Sequence, residues 1–163
     1  MATVKSARRT LPSPGRKKAR RPAEAGETRY IESSALLSAL LENDETAIRA
    51  LRIPGRRVTS ALTLAEANRA VVRARVAGRL TAAQERDAVR ALQTFERRSI
   101  IVTVSDWVLT RAGHPFPVEP VRTLDAVHLA TVELLGEPPQ LVTVVTRDVR
   151  VAENARSLGY RVE

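Results

Sequence analysis

Short runs of β-branched and aromatic residues alternate along the chain with longer segments whose apolar residues recur at helical spacing. The strand-like runs are residues 30–31, 58–60, 100–104, 141–146 and 160–162. The runs at 100–104 and 141–146 lack polar alternation, which is typical of strands buried on both faces of a parallel sheet. Because strands alternate with predicted helices, we expect an α/β fold in which helices cover a parallel sheet on both faces.

Polar residues mark the places where several helices should begin. Asp44 and Ser105 each directly precede a segment of helical spacing, as an N-cap would. Residues 81–84 (Thr-Ala-Ala-Gln) have the sequence of a capping box. Thr63 is expected to open the helix that follows the second strand, and residues 123–135 form another predicted helix, which is rich in apolar residues.

Four carboxylates lie where predicted strands end or where the next helices start. Glu32 follows the first strand, Glu66 lies in the first turn of the helix opened by Thr63, and Asp148 follows the fourth strand. Asp125 lies in the first turn of the apolar helix 123–135. In an open parallel sheet, functional sites form outside the carboxyl ends of the strands, so all four acids could reach one edge of the sheet.

Each acid also has an ordinary structural explanation. Glu66 could close a capping box that starts at Thr63, and Asp148 could be an N-cap. Asp125 could complement its helix dipole, and Glu32 could be an exposed acid at a strand end. For any one acid taken alone, the ordinary structural explanation is favoured over a role in a site. Four anions in one pocket would repel one another unless a cation were present, so together they point to a site for Mg²⁺ or Mn²⁺.

Neighbouring polar residues add candidates for the same site. His128 lies three residues after Asp125, so it is either a metal ligand or a buried structural histidine. The hydroxyls of Ser33, Ser34 and Thr146 could hold the waters of a metal ion or cap the following helices. Trp107, the single tryptophan, is expected in the core or at an interface.

Composition narrows the class of protein. The 163 residues suffice for one domain with a sizeable core. The absence of cysteine excludes disulfides and thiolate metal sites, and only two histidines argue against a histidine-rich zinc site. No run approaches the roughly 18 apolar residues that span a bilayer, and the basic start has no apolar segment behind it. We therefore expect a cytoplasmic protein without a membrane partner.

The positive charge is concentrated at the start of the chain. Residues 1–29 contain nine Lys or Arg and two Glu, a net charge of +7 out of +9 for the whole chain. This segment is rich in proline and glycine and poor in large apolar residues, so we expect residues 1–28 to be a disordered tail and residues 29–163 to form the domain. The tail is either an arm that binds nucleic-acid phosphates or a leader without a role.

Several segments together resemble a known family. They are residues 30–36 (YIESSAL), 63–66 (TLAE), 124–130 (LDAVHLA) and 144–148 (VVTRD), continued by 151–159. In this order and spacing they resemble the PIN domain and, within it, the VapC-type ribonuclease toxins of bacterial toxin–antitoxin pairs. The resemblance extends from about residue 29 to residue 163.

The resemblance implies an αβα sandwich around a mainly parallel sheet and a Mg²⁺- or Mn²⁺-dependent cleavage of single-stranded RNA by a metal-activated water. By position, Asp125 and Glu66 would ligate or orient the metal, Asp148 would complete the pocket, and Ser34 and Thr146 would support it. The resemblance also implies a homodimer and a cognate antitoxin, which places a basic or polar side chain in the acidic pocket.

One residue departs from the family pattern. The first acid is normally aspartate, whereas this chain has Glu32, whose carboxylate lies one bond, roughly 1.5 Å, further out. Metal–oxygen distances vary by only about 0.2 Å, so Glu32 must fold back, bind through water or bind weakly. The alternative function is therefore a catalytically weakened PIN-like module that binds RNA or a protein partner. A structure-specific DNA nuclease is a third option, for which the chain looks short.

Overall fold

The computed structural model describes residues 27–163. The predicted tail, apart from residues 27 and 28, lies outside the described residues. Within that range the first strand begins at Thr28, and the Glu27 carboxylate already accepts hydrogen bonds from Thr143 and Arg161. None of the helices between residues 27 and 163 is long and apolar enough to cross a bilayer.

A five-stranded sheet forms the centre of the fold. Its strands are β1 (Thr28–Ile31), β2 (Arg56–Ser60), β3 (Ile100–Val102), β4 (Val142–Val145) and β5 (Arg161–Val162). They lie in the order β3-β2-β1-β4-β5, and every neighbouring pair is parallel. The parallel sheet predicted from the sequence is confirmed.

Helices connect the strands and cover the sheet on both faces. They are α1 (Ser33–Leu41), α2 (Glu45–Arg52), α3 (Ala61–Val76), α4 (Ala82–Arg97), α5 (Asp106–Ala112), α6 (Thr123–Leu134) and α7 (Val149–Ser157), with a short 3-10 helix at Pro139–Leu141 before β4.

The apolar residues form one core on each face of the sheet. Because side chains alternate along a strand, Tyr30 belongs to one core and Ile31 to the other. The first core packs the sheet against α6 and α7, whose buried residues include Leu129 and Val151. The second packs it against α1, α3 and α4, where Phe95 is the largest side chain. The αβα layering expected from the resemblance is confirmed.

The third strand differs from its prediction. The run 100–104 was expected to be buried on both faces, but β3 ends at Val102 and Ile100 is 50% exposed. The reason is strand order: β3 pairs only with β2 and forms an edge of the sheet. Trp107 is likewise half exposed, so of the two places expected for it the core is excluded, and an interface stays a prediction.

Most predicted helix caps are confirmed, with one correction. Asp44 and Ser105 are the N-caps of α2 and α5, and Thr81 forms a capping box at the start of α4. The helix α3, however, begins at Ala61 with Ser60 as its N-cap, two residues before the predicted start. A capping box that begins at Thr63 therefore does not exist, and that explanation of Glu66 is wrong.

Candidate functional site

The site lies beyond the carboxyl ends of β1 and β4, where several helices start. Glu32 directly follows β1 and is the N-cap of α1, and Asp148 is the N-cap of α7. Asp125 lies in the first turn of α6, and Glu66 is on α3. Parallel strands bring these helix N-termini to one edge of the sheet, and their partial positive charges favour the anionic side chains placed there.

The Glu32 carboxylate is buried in a cradle of hydrogen-bond donors. Its exposed fraction is 4%, so it is not the exposed strand-end acid considered above. The Oε1 atom accepts a hydrogen bond from Ser33 Oγ at 2.5 Å. The Oε2 atom accepts from the backbone N–H of Ser34 at 3.0 Å, from Thr146 Oγ1 at 2.8 Å and from Ser34 Oγ. The side chain folds back onto the start of α1, and its donors compensate the loss of water around a buried anion.

The hydroxyls of Ser34 and Thr146 also fix the turn between β4 and α7. Ser34 Oγ accepts hydrogen bonds from the backbone N–H groups of Arg147 at 2.8 Å and Asp148 at 3.1 Å. Thr146 Oγ1 accepts from the same Asp148 N–H at 3.0 Å. The two hydroxyls therefore link Glu32 to the backbone that carries Asp148, although these acids lie far apart in the sequence.

His128 connects the two glutamates to the core. The exposed fraction of His128 is 1%. Its Nε2 lies 2.8 Å from Glu66 Oε2 and 3.7 Å from Glu32 Oε1. Its Nδ1 lies 2.9 Å from the hydroxyl of Tyr30, which is fully buried. Tyr30, His128 and Glu66 thus form one buried hydrogen-bonded chain that runs from the sheet to the site.

The surroundings of Glu66 and Tyr30, the two ends of this chain, shift the pKa of each. Burial alone would raise the pKa of Glu66, but the hydrogen bond and charge of His128 outweigh it and hold the pKa below its ordinary value. Burial raises the pKa of Tyr30 well above its ordinary value, and the charge of Glu32 adds to this. Glu66 is therefore an anion that accepts a hydrogen bond from Nε2–H of His128, and Nδ1 is the ring nitrogen that pairs with the Tyr30 hydroxyl.

Glu32, Glu66 and His128 form the inner cluster. Each offers one ligand atom, and these atoms lie within 4.8 Å of one another. Carboxylates suit Mg²⁺ and Mn²⁺, and an imidazole is a common ligand of transition metals. Glu66 is also partly exposed, so the cluster has an open side. This donor set fits a divalent cation.

Asp125 and Asp148 form the outer pair, which is joined by Arg122. The Nε of Arg122 lies 2.8 Å from Asp125 Oδ2, and its second terminal nitrogen lies 3.3 Å from Asp125 Oδ1 and 2.7 Å from Asp148 Oδ2. The other Asp148 oxygen accepts from the backbone N–H groups of Arg150 and Val151, so Asp148 is also the N-cap predicted for α7. The hydrogen bond and charge of Asp125, with those of Asp148, raise the pKa of Arg122.

The structure thus arranges the predicted acids as two linked groups. Across residues 27–163, the ligand atoms found within 4.8 Å of one another belong to the inner cluster, which does not include Asp125 or Asp148. Sequence reasoning considered His128 but missed Tyr30 and Arg122. Signals for both were present: Tyr30 lies two residues before Glu32, and Arg122 lies three residues before Asp125, a spacing that brings side chains together on a helix.

The chain is similar to one family throughout this region. Residues 29–157 match the family model described as the PIN domain. Ribonuclease VapC46 of Mycobacterium tuberculosis (strain ATCC 25618 / H37Rv) is 38% identical over 139 residues, which cover 82% of this chain and 94% of that protein. Ribonuclease VapC35 of Mycobacterium tuberculosis (strain CDC 1551 / Oshkosh) is 34% identical over 137 residues, which cover 82% and 93%.

Solved structures share the fold at lower identity. VapBC2 from Rickettsia felis, bound to a DNA fragment from its promoter, matches with a TM-score of 0.58 and 14% identity over 83% of this chain and 97% of that chain. VapBC-1 from nontypeable Haemophilus influenzae matches with a TM-score of 0.53 and 13% identity over 83% of this chain and 96% of that chain.

Proposed function

The chain belongs to the PIN domain family, and on this basis we propose that it is a VapC-type ribonuclease, the toxin of a toxin–antitoxin pair. One observation carries the proposal: a buried glutamate and a partly exposed one, both close to Nε2 of His128, meet at the carboxyl end of a parallel sheet with their ligand atoms close together. Placing two anions side by side in a largely enclosed site is costly without a cation, and that arrangement is the one that a metal-dependent nuclease needs.

We propose Glu32, Glu66, Asp125 and Asp148 as the acids that hold Mg²⁺ or Mn²⁺. When bound, such an ion activates a water molecule and neutralises charge on a phosphodiester. The residues of the chain itself orient these acids. His128 holds Glu66 by its Nε2–H at 2.8 Å, and the cradle around Glu32 fixes that carboxylate. Ser34 and Thr146 support the site by holding Glu32 and the Asp148 backbone in register.

We propose single-stranded RNA as the substrate and an antitoxin protein as the partner. The relatives of highest identity reported above carry the name ribonuclease, and the neighbours in fold are VapBC assemblies. A homodimer is part of the same proposal. The acidic outer pair, already bridged by an arginine, is a surface to which a basic side chain of a partner could bind.

A second candidate function is favoured by the environment of Glu32. Its carboxylate already accepts four hydrogen bonds from protein donors, which leaves less capacity for a metal ion. The chain would then be a weakened PIN-like module that binds RNA or a protein partner without cleaving RNA at a useful rate. Calorimetric titration with Mn²⁺ separates the two: micromolar binding that is lost in Glu66→Gln contradicts the weakened module.

The experiment that tests the ribonuclease measures cleavage of a single-stranded RNA with Mn²⁺ or Mg²⁺. We expect Asp125→Asn to lower the rate by about 100-fold or more, because a site carboxylate is lost. Asp87→Asn is the matched control, because Asp87 is an exposed aspartate on α4 that pairs with Arg90. Equal cleavage by wild type and Asp125→Asn would refute the assigned site, and EDTA should abolish the wild-type activity.

A further inference from the structure

Asp125 differs from the other site acids in the kind of group that compensates its charge. Glu32 is held by fixed hydroxyl and backbone donors, and Glu66 by the buried His128. Asp125 is only 7% exposed, and both of its oxygens accept hydrogen bonds from Arg122. An almost fully buried carboxylate is therefore neutralised by a side chain on the surface.

The arginine that pairs with Asp125 is largely exposed to solvent. Its side chain is 62% exposed, while those of Asp125 and Asp148 are 11% and 20% exposed. It stands at the N-cap position of α6, but makes no side-chain cap hydrogen bond to the helix. An exposed guanidinium can leave an ion pair at small cost, since surface ion pairs contribute little net free energy. The two aspartates, by contrast, are largely buried at the starts of α6 and α7.

We propose that Arg122 is an internal counter-cation of Asp125 and Asp148, and that it yields these two carboxylates when a divalent cation binds. This inference rests on the proposed metal site and adds that Arg122 competes with the metal ion for two of its carboxylates. In the metal-free protein the guanidinium holds the carboxylates of the outer pair together and offsets the repulsion between their charges. When the site fills, the aspartates turn to the ion and Arg122 is released towards solvent.

The guanidinium suits this role better than an ammonium group would. One planar fork contacts both oxygens of Asp125 and one oxygen of Asp148, which a single ammonium point charge cannot reproduce. When a side chain and a ligand compete for the same groups, the apparent affinity of the ligand is its intrinsic affinity multiplied by the fraction of molecules in which those groups are not bridged. Arg122 therefore sets how much metal is needed to fill the site.

The test is a titration of the full chain with Mn²⁺ by calorimetry. We expect Arg122→Gln to bind Mn²⁺ about threefold to tenfold more tightly than wild type, a range that the loss of two competing surface ion pairs allows. Arg122→Lys keeps the charge but not the fork and should lie between the two. Arg150→Gln is the control for net charge, because Arg150 is exposed and only its backbone contacts Asp148, and it should change the affinity less than about twofold.

A spectroscopic measurement follows the released side chain directly. The Nε–H signal of Arg122, assigned by its absence in Arg122→Lys, should shift towards the position of exposed arginines as Mg²⁺ is added. Equal Mn²⁺ affinities of wild type and Arg122→Gln, or an Nε–H signal that does not move on saturation, would overturn the exchange and leave the proposed metal site intact. If neither protein binds Mn²⁺, the proposed metal site fails, and the exchange fails with it.

Discussion

Replacing Tyr30 by phenylalanine removes one oxygen from the buried chain that supports Glu66. The Tyr30 ring packs in the core beside α6 and stays in the variant, so the change is confined to the hydroxyl. In wild type this hydroxyl lies 2.9 Å from Nδ1 of His128, and both side chains are fully or almost fully buried. The variant therefore leaves a buried imidazole nitrogen without that partner.

The size of the effect follows from this geometry. A typical hydrogen bond contributes about 0.5–1.5 kcal/mol, and a buried polar group left without a partner costs about 1–3 kcal/mol. Water has poor access to Nδ1, because His128 is 1% exposed. We therefore expect Tyr30→Phe to lower the free energy of unfolding by about 2 kcal/mol, a substantial part of the roughly 5–15 kcal/mol of an ordinary domain.

Urea unfolding of the metal-free protein in EDTA measures this difference. The chain has only one other tyrosine, Tyr160, whose hydroxyl lies outside the Tyr30–His128–Glu66 chain, so Tyr160→Phe is the matched control. We expect the control to change stability by less than about 0.5 kcal/mol. If Tyr30→Phe costs no more than Tyr160→Phe, the hydroxyl does not support His128, and the reasoning about the buried chain is refuted.

Two further predictions concern the glutamates of the inner cluster. The pKa of Glu66 lies below its ordinary value of 4.5, so its pairing with His128 stabilises the fold fully above that pH and is lost as the pH falls through the folded-state pKa. The stability difference between wild type and Glu66→Gln, measured by urea unfolding in EDTA, should therefore shrink as the pH falls below about 4.5 and through the lower folded-state pKa; a constant difference would contradict the pairing. Glu32→Asp should lower the unfolding free energy by about 1–2 kcal/mol, because a shorter side chain cannot keep the bonds to both Ser34 and Thr146. It should also leave Mn²⁺ affinity no higher, and a gain in either quantity would show that aspartate fits the cradle better.

The layers of the fold were predictable because burial leaves a periodic pattern in the sequence. The continuous apolar run of β4 and the spacing along α6 reflect contacts on both sides, and both elements were predicted with errors of one or two residues. The edge position of β3 was not predictable, because strand order is a property of the assembled sheet. A run of β-branched residues has the same sequence pattern in an edge strand as in a central strand of the sheet.

The positions of the acids in the fold were predictable from the sequence, but the side chains that pair with them were not. Glu32 and Asp148 could be placed because helix starts follow strand ends. The pairing of Asp125 with Arg122, and of His128 with Tyr30, depends on side-chain directions that a linear pattern does not contain. The assignment of Glu66 to a capping box failed for a related reason, since Ser60 and Thr63 are both suitable caps and only the end of β2 decides between them.

The strand order has a consequence for biosynthesis. The central strand β1 is the first of the five strands to leave the ribosome. One of its two neighbours in the sheet is β4, whose Val144 pairs with Tyr30 of β1. Until β4 has been translated, β1 lacks that neighbour, and Glu32 lacks the Thr146 hydroxyl that holds it. At roughly 5–20 residues per second, the ribosome needs several seconds to cover that interval. A growing chain therefore has no assembled acidic site before β4 has been translated, and a fragment that stops before β4 cannot acquire one.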